Sequence, residues 1–457
     1  MSYKLRDYQE KAVDAAINFF NTAKPGKKGV VVLPCGTGKS LVVAEISKRL
    51  GVNVLNLQPS KELLEQNYDA YTSYGLEASI YSASMNSKEV GEVTFATPLS
   101  LRNKAHLFKD VKCVVVDEAH EKCRTGSIVD EFISQLPKDV KVIGLTATPV
   151  ILRQGMYGAE LRMLNRTRDS IFQEILYVMQ IEEAINQKWW CPLKYEEHKQ
   201  DTSMLSFNSS GSEYTDESLQ MFFFKNDLDK QITDAIERNS DRGQFLVFVP
   251  TIAAAEALAK KIPGAQYIHS KLSATARKAL VLSFKNGVTK VMINVNILAT
   301  GFNMPHLPNL INASPTASIS RYYQQVGRVV RPHPLKTQGG LIIDMAGNFE
   351  RFGKVENLRF EQVQGIGWCV TNNGYQISER PIKAPKRKVT AITETVHDDV
   401  IWFGKYKGTA IHKIPVSYME FCLREFDFKG EKMIELKEKF LREVVKQQEF
   451  VASQRNN

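Results

Sequence analysis

Gly29-Val30-Val31-Val32-Leu33-Pro34-Cys35-Gly36-Thr37-Gly38-Lys39-Ser40 is a continuous apolar run that ends in a glycine-rich loop. The run has the composition of a strand buried on both faces. The segment that follows, Ser40 to Leu50, has the length and amphipathic pattern of a crossover helix. A strand, a glycine loop and a helix in that order wrap backbone N–H groups around a phosphate and aim a helix N-terminus at its charge. In such a loop Gly36, Thr37 and Gly38 form the cradle, Lys39 reaches the β and γ phosphates, and Ser40 holds Mg²⁺. The strict pattern has a further glycine five positions before Gly38, where this chain has Leu33.

Working outward, similar apolar runs recur at Val52 to Leu57, Val93 to Ala96, Val111 to Val116 and Val142 to Leu145, with amphipathic segments such as Ser60 to Tyr71 between them. Strands alternating with helices of this length predict a parallel α/β sheet. The pattern fades after Pro149 and resumes with Phe245 to Val249, Gln266 to His269, Lys290 to Val295, Asn309 to Ala313 and Gly340 to Asp344, a second α/β domain. Asp201 to Glu217 is rich in Ser, Asn, Asp, Gly and Thr and reads as a mobile surface segment near an interdomain connection. Pro381, Pro385 and the basic run Lys386-Arg387-Lys388 mark another break. The expected organisation is a first domain over 1–155, a connection over 156–225, a second domain over 226–350 and a C-terminal accessory module over 351–457.

A chain of 457 residues allows about three domains at roughly 150 residues each. Hydrophobic content of 43% and charged content of 24% exclude collagen-like, coiled-coil and low-complexity classes. The net charge of +10 suits an anionic partner such as nucleic acid. The opening residues carry charges at once and lack the apolar core of a signal peptide. The longest charge-free stretch, Val291 to Ser320, is broken by Asn and Pro and is too polar to span a bilayer. Six widely spaced cysteines form no CxxC pair, so reduced thiols are expected in a cytoplasmic protein, with neither membrane helix nor zinc cluster.

The strand Cys113 to Val116 runs into Asp117-Glu118-Ala119-His120. Two carboxylates at the carboxyl end of a buried parallel strand lie where such sheets bind ligands. Asp117 can serve a metal ion as an oxygen ligand, and Glu118 can orient and deprotonate a water that attacks a γ-phosphate.

These residues resemble motifs I and II of superfamily 2 helicases of the DEAH-box type, and the family's other motifs follow in order. Leu5-Arg6-Asp7-Tyr8-Gln9 resembles the adenine-recognition motif, in which Gln9 reads the base edge with support from Arg6. Gln58-Pro59-Ser60 and Ala96-Thr97-Pro98 resemble the two motifs that contact a nucleic-acid strand, which implies strand contacts at Pro59, Ser60, Thr97 and Pro98. Thr146-Ala147-Thr148 resembles motif III, so that Thr146 and Thr148, with His120, would couple hydrolysis to strand handling. Phe248-Val249-Pro250-Thr251 and Thr300-Gly301-Phe302-Asn303 resemble motifs IV and V, placing Thr251 and Thr300 on nucleic acid and Gly301 beside the nucleotide. Gln324-Gln325-Val326-Gly327-Arg328-Val329-Val330-Arg331 resembles motif VI. A phosphoryl-transfer transition state spreads negative charge over the γ-phosphate oxygens, and Arg328 and Arg331 suit arginine fingers, with Gln324 beside them. Asn303 departs from the aspartate frequent in motif V, so a charged contact from that position does not carry over.

The resemblance spans residues 5 to 350 and implies an α/β fold of two tandem RecA-like P-loop domains, with ATP and Mg²⁺ in the cleft between them. Absences then bear on the substrate. Only 126 residues follow Arg331, fewer than DEAH RNA helicases carry, and neither an iron–sulfur set nor a zinc set of cysteines is present. Leu341 to Asn348 with Glu350 to Gly353 is similar to the stretch closing the second domain in bacterial RadD-like helicases and bacteriophage branch-migrating (UvsW-like) recombination helicases. That likeness implies an ATP-dependent DNA helicase on single-stranded and branched DNA, moving 3′ to 5′, monomeric, and working with recombination or replication proteins. A duplex DNA translocase, an RNA helicase and an ATP-gated junction clamp are the alternatives. In the appendage, Trp402-Phe403-Gly404-Lys405-Tyr406-Lys407-Gly408 fits either DNA stacking by aromatics beside lysines or a hairpin packing its own core. Further on, Met433, Leu436, Phe440 and Val444 share one helical face that is expected to be buried.

Overall fold

The computed structural model describes residues 4–123, 125–155, 158–166, 171–209, 211, 213–298, 302–381, 387–388, 401, 406, 409, 411–425, 433–434 and 436–445. Two compact units are present, Met1–Thr390 and Ala391–Asn457. The first unit begins with α1 (Asp7–Thr22), β1 (Lys28–Val32), α2 (Lys39–Leu50), β2 (Val54–Leu57), α3 (Lys61–Thr72), β3 (Ser79–Ser82), β4 (Ser87–Lys88), β5 (Val93–Ala96), β6 (Cys113–Val116), α4 (Ala119–Lys122), α5 (Ile128–Ser134) and β7 (Lys141–Thr146). A hairpin, β8 (Val150–Gly155) and β9 (Gly158–Met163), precedes β10 (Glu174–Val178). The first sheet has the order β10-β1-β7-β6-β2-β5-β3-β4 and is parallel except for its β3–β4 edge.

Period-two alternation explains why this sheet is buried twice over. Val31, Val115, Ile143 and Leu145 face one apolar cluster, whereas Val30, Val114, Val116 and Val142 face another. Crossover helices cover both faces. Ser60 and Ser127 accept from backbone N–H groups three residues on and so start α3 and α5, contacts worth about 1 kcal/mol each.

The chain crosses to the second domain through α6 (Ile181–Asn186) and enters its sheet at β11 (Leu193–Glu197). There follow α7 (Asp216–Lys225), α8 (Leu228–Arg238), β12 (Phe245–Phe248), α9 (Ile252–Lys261), β13 (Gln266–Ile268), α10 (Ala274–Lys285), β14 (Val291–Asn294), β15 (Asn309–Asn312), α11 (Ile319–Val326), β16 (Gly340–Asp344) and α12 (Asn348–Phe352). The strand order is β11-β16-β15-β12-β14-β13, all parallel. Both domains are therefore RecA-like α/β layers. One apolar cluster runs through both, joining Leu33 and Cys35 of the first to Tyr323, Val326 and Val329 of the second by way of Trp190.

The boundaries expected from sequence are corrected at two places. Residues 156–225 are not a connection: β10 is the edge strand of the first sheet beside β1, and β11 is the edge of the second beside β16. Edge strands lack the continuous apolar run of buried ones; β11 reads Leu-Lys-Tyr-Glu-Glu, half-buried or exposed throughout. The Asp201 to Glu217 segment is also held on the second domain, where Glu213 pairs with Arg321 at 3.2 Å and accepts from Thr316 at 2.6 Å. At the other end, the accessory module does not begin at 351. β17 (Leu358–Val363), β18 (Gly367–Asn372), β19 (Tyr375–Gln376) and β21 (Arg387–Lys388) form an antiparallel sheet within the first unit. β20 (Arg380–Pro381) pairs with β9, and Phe360 exchanges two hydrogen bonds with the Gln180 side chain. After the second domain the chain thus returns to the first.

The second unit contains α13 (Val416–Glu425) and helical residues 433–434 and 436–445. Leu436, Phe440 and Val444 join Ile401, Ile411, Ile414, Met419 and Cys422 in its core, and Met433 is half-buried. Tyr406 packs edge-on against Tyr418 at 4.7 Å and against that core; Trp402 to Lys405, Lys407 and Gly408 lie outside the described residues. Among the described residues, no helix is long and apolar enough to cross a membrane and no group of three or more His, Cys, Asp or Glu side chains could hold a metal. All six cysteines are free and buried.

Candidate active site and strand groove

β1, β2, β5, β6 and β7 are parallel, and the residues just past their carboxyl ends include Pro34 to Gly38, Pro59 and Ser60, Thr97 and Pro98, Asp117 to His120, and Ala147 and Thr148. Five motifs scattered over the sequence thereby meet along one sheet edge. Leu33 is fully buried, and its N–H donates to the Thr146 carbonyl at 2.9 Å. The position where the strict loop pattern has glycine therefore extends β1 as a core residue. The turn is made by Gly36 and Gly38, at φ +76° and +80°, a region that disfavours side chains. Their neighbours leave no space either: a Cβ on Gly38 would lie 2.6 Å from the Gln9 amide nitrogen, and one on Gly36 3.1 Å from Arg331 Cγ. Thr37 is buried, and its hydroxyl donates to the Pro34 carbonyl at 2.7 Å.

The adenine motif closes over this loop. Gln9 Nε2 and the Tyr8 hydroxyl both donate to the Thr37 carbonyl, at 3.0 and 2.8 Å, and the Arg6 N–H donates to Gln9 Oε1 at 3.0 Å. On the other side, Lys39 Nζ lies 3.8 Å from Glu118 Oε1. Burial works against the Lys39 charge, but Glu118, Cys35 and Asp117 more than offset it and raise its pKa. Asp117 is pushed up to about 6 by burial and by the Glu118 charge, with Lys39 and hydrogen bonds from Asn67 and the Glu118 N–H holding it down. Glu118 sits at φ +47°, and its buried Oε2 accepts no hydrogen bond.

His120 joins three motifs. Its Nδ1 lies 2.8 Å from the Thr146 hydroxyl, which itself donates to the Thr148 carbonyl, so Nδ1 is the donor. The Gln324 amide then donates to His120 Nε2 at 3.3 Å and approaches Glu121 at 3.5 Å. This places motif VI of the second domain against the acidic motif of the first. One turn on, Arg328 Nε donates to the Gln324 carbonyl at 3.2 Å and its terminal nitrogen to the Phe302 carbonyl. Burial, then the Arg331 charge, lowers Arg328 to about 10 against the pull of Cys35 and Glu118. Arg331 donates to Asn303 Oδ1, and burial lowers its pKa too. Asn303 is neutral, so this contact brings no opposite charge to Arg331.

Sequence reasoning missed the aromatic collar around the loop. Tyr323 accepts from the Cys35 N–H at 3.2 Å, and the Trp190 indole donates to the Cys35 carbonyl at 2.9 Å. Asn67, which fixes Asp117, and Gln66, which donates to Ser40 at 2.7 Å, were missed as well. All four sit on helices or the crossing segment, where no motif signal marks them.

Pro59, Ser60, Thr97 and Pro98 line one groove of about 580 Å³, together with Lys61, Ser100 and Glu121. Thr97 in this groove belongs to a hydroxyl network, lying 3.0 Å from both Ser82 and Ser100. Thr251 is not among these residues; its hydroxyl caps α9 by accepting from Ala254 N–H at 3.2 Å. Thr300 and Gly301 lie outside the described residues.

Residues 2–151 match the family described as type III restriction enzyme, res subunit, and residues 226–333 match the helicase conserved C-terminal domain. The chain belongs to helicase superfamily 2. Among its relatives, one of Saccharomyces cerevisiae is named a putative ATP-dependent helicase (25% identical over 75% of this chain and 51% of its own length) and one of Pyrococcus horikoshii an ATP-dependent DNA helicase (24%, over 67% and 47%). A 51.5 kDa protein of a Lactococcus phage is 25% identical over 70% of this chain and 66% of its own length. The chain spans about half to two thirds of the curated relatives it matches. The Type ISP restriction-modification enzyme LlaBIII bound to DNA shares the fold at a TM-score of 0.55 and 19% identity, over 75% of this chain and 28% of that one. Dbp5 of S. cerevisiae bound to RNA does so at a TM-score of 0.50 and 16% identity, over 75% and 84%.

Helicase ATPase domains use ATP with a divalent metal, and the residues of this superfamily 2 member fit that pair. Ser40 and Asp117 are hard oxygen donors of the kind Mg²⁺ takes. The paired buried acids, the unsatisfied Glu118 Oε2 and two half-buried arginines beside a glycine cradle are costly arrangements that a metal and a polyphosphate would relieve.

Proposed function

We propose that this superfamily 2 ATPase is a DNA motor that unwinds or branch-migrates forked and four-way junctions. The observation that carries the motor reading is the continuity from strand groove to nucleotide site: Glu121 lines the groove and meets Gln324, which also meets His120. A change in the grip of Gln324 when ATP is cleaved therefore reaches the groove through two adjacent residues.

In this proposal the loop N–H groups and Lys39 bind the phosphates, while Ser40 and Asp117 hold Mg²⁺, which when bound screens the phosphate charge. Gln9 and Arg6 take the base. Glu118 Oε2, which accepts no hydrogen bond, orients the attacking water and takes its proton, and the nearby Lys39 stabilises the carboxylate until then. Arg328 and Arg331 neutralise charge developing on the γ-phosphate. His120, Thr146, Thr148 and Gln324 transmit the result. Pro59, Ser60, Thr97 and Pro98 hold the strand through hydroxyls and backbone, contacts that suit sequence-independent gripping, to which the motif resemblance would add Thr251 and Thr300.

The match of 2–151 to a restriction-enzyme family supports DNA over RNA and also favours a second reading, a duplex translocase that moves without separating strands. ATP hydrolysis should be measured with single-stranded DNA, duplex DNA, a synthetic four-way junction and RNA at one fixed salt. Stimulation greatest with branched DNA, together with strand displacement, is expected. Triplex displacement without unwinding would favour the translocase, and stimulation by RNA alone would overturn the choice of DNA.

A further inference from the structure

Trp189 lies in the segment that crosses between the domains, and none of the motifs accounts for it. Its indole is half-buried and fixed at several points. The ring nitrogen donates to Gln187 Oε1 at 2.9 Å, the Tyr8 ring meets it edge-on at 6.4 Å, and the next residue, Trp190, is buried and bonded to the Cys35 carbonyl. Over its face lies the Arg6 guanidinium, 3.4 Å from the ring centroid. Arg6 also donates to the Tyr8 hydroxyl at 2.9 Å. The guanidinium is thus held flat by stacking and steered in its plane by a hydrogen bond, yet the residue remains exposed.

A planar cation stacked on one side and open on the other is a platform for a second planar ring. The neighbouring Gln9 completes the recognition. Its Oε1 accepts from Arg6 N–H and its Nε2 donates to the Thr37 carbonyl, which leaves one acceptor lone pair and one N–H. That remaining pair matches adenine, which offers an acceptor at N7 and a donor at N6; guanine offers acceptors at both positions.

We propose that Trp189 is a positioning residue of the base site, holding Arg6 flat so that a purine stacks on the free face of the guanidinium while Gln9 selects adenine. The inference rests on ATP hydrolysis and not on which nucleic acid occupies the groove. It also makes the interdomain segment part of nucleotide recognition, since Trp189 follows the base while Trp190 follows the loop.

The test uses the full chain with Trp189→Ala, Trp189→Leu and Trp189→Phe, and two probes in equilibrium binding: a fluorescently labelled ADP and inorganic tripolyphosphate, which has no base. Trp189→Ala and Trp189→Leu should weaken labelled ADP by about five-fold, the upper worth of a cation–π contact at an exposed site. They should leave tripolyphosphate affinity within about two-fold, because the loop itself is untouched. KM for ATP should rise by the same factor as the ADP affinity falls, with kcat at saturation nearly retained and the preference for ATP over CTP narrowed. Trp189→Phe, which keeps an aromatic face, should restore most of the loss. The proposal is overturned if either truncation binds labelled ADP as the parent does. It is equally overturned if tripolyphosphate weakens in step with ADP, or if Trp189→Leu and Trp189→Phe are equivalent.

Discussion

Replacing Gly327 by alanine puts a methyl where two domains touch. Gly327 ends α11 at φ −56°, a conformation alanine adopts freely, so no backbone strain enters. The added Cβ would lie 2.9 Å from Cys35 Cβ, 3.1 Å from Cys35 Sγ and 3.2 Å from the Tyr323 carbonyl oxygen. Carbon atoms rest about 3.5–4.0 Å apart, so the end of α11 must retreat from the P-loop by roughly 0.5–1 Å, at an overpacking cost of about 1–3 kcal/mol. Arg328 follows immediately and Arg331 one turn later, so both guanidinium groups are carried back with the helix end. A displacement of about 1 Å in a catalytic group costs on the order of 10²-fold in rate. Steady-state ATPase of Gly327→Ala at saturating ATP and DNA should therefore fall by about 10- to 100-fold, with nucleotide affinity changed far less, since Lys39 and the loop amides stay in place. Cys35→Gly removes two of the three atoms that the methyl strikes. The double variant should regain most of the lost kcat, with a favourable coupling of about 1–2 kcal/mol. If the double variant is as slow as the product of the two single effects, the close approach at Gly327 is not what sets the arginines.

Lys39→Ala should abolish hydrolysis, whereas Glu118→Gln should keep ATP binding and lose turnover by more than about 100-fold; a Glu118→Gln enzyme that turns over normally would remove the proton acceptor assigned here. Lys336 is 7% exposed and donates to the Val329 carbonyl at 2.5 Å and the Arg331 carbonyl at 2.8 Å. Lys336→Met leaves those oxygens short of a donor and should cost about 2–4 kcal/mol in chemical denaturation, with kcat reduced more than KM. Asp117, raised to about 6, binds a proton more tightly in the folded chain than when unfolded. Its stabilising contribution is therefore present at acid pH and lost as pH rises from about 4 to 6, where the ionised pair with Glu118 becomes a cost. Mg²⁺ should accordingly raise the melting temperature at pH 7.5 and barely at pH 5, and its apparent affinity should fall about tenfold per unit below pH 6; a pH-independent Mg²⁺ effect would contradict the assignment of Asp117.

The parts legible in the sequence were those where a residue type can do only one thing. Central strands such as Val114 to Val116 announce themselves because both faces are buried, and Gly36 and Gly38 because no side chain fits. Edge strands were not legible: β10 and β11 have an exposed border and a mixed composition, so the first domain was cut short at 155 and the connection drawn too long. The return of the chain to the first domain was hidden for a related reason. β20 is two residues long, and its neighbour Glu379, which accepts from the Met163 N–H and pairs with Arg162 at 3.1 Å, is one acid among many until the fold brings these residues together. Leu33 is the instructive case inside the site: a departure from the loop pattern is a core residue with its N–H in the sheet.

Trp189, Trp190 and Cys191 are consecutive and belong to no motif, yet each faces a different part of the machinery. Trp189 carries Arg6 of the base site, and Trp190 holds the Cys35 carbonyl of the P-loop while packing 6.1 Å from the Tyr323 ring. Cys191 donates from its N–H to the Val330 carbonyl at 2.7 Å and from its thiol to the Val329 carbonyl at 3.3 Å, inside the arginine motif. Three residues in an extended chain span roughly 10 Å, so base, phosphate loop and arginine backbone are linked by a tether too short to slacken. If the second domain swings away after hydrolysis, the Cys191 contacts move with it through the edge of its own sheet, because β11 begins at Leu193. The Trp189 contacts and the Trp190 indole hydrogen bond lie on the first domain's side, while the Trp190 ring also packs on Tyr323 of the second. The hydrogen bonds of the tether thus pass from the phosphate loop to the arginine motif between Trp190 and Cys191, so a change in the spacing of the two domains must be felt at these residues.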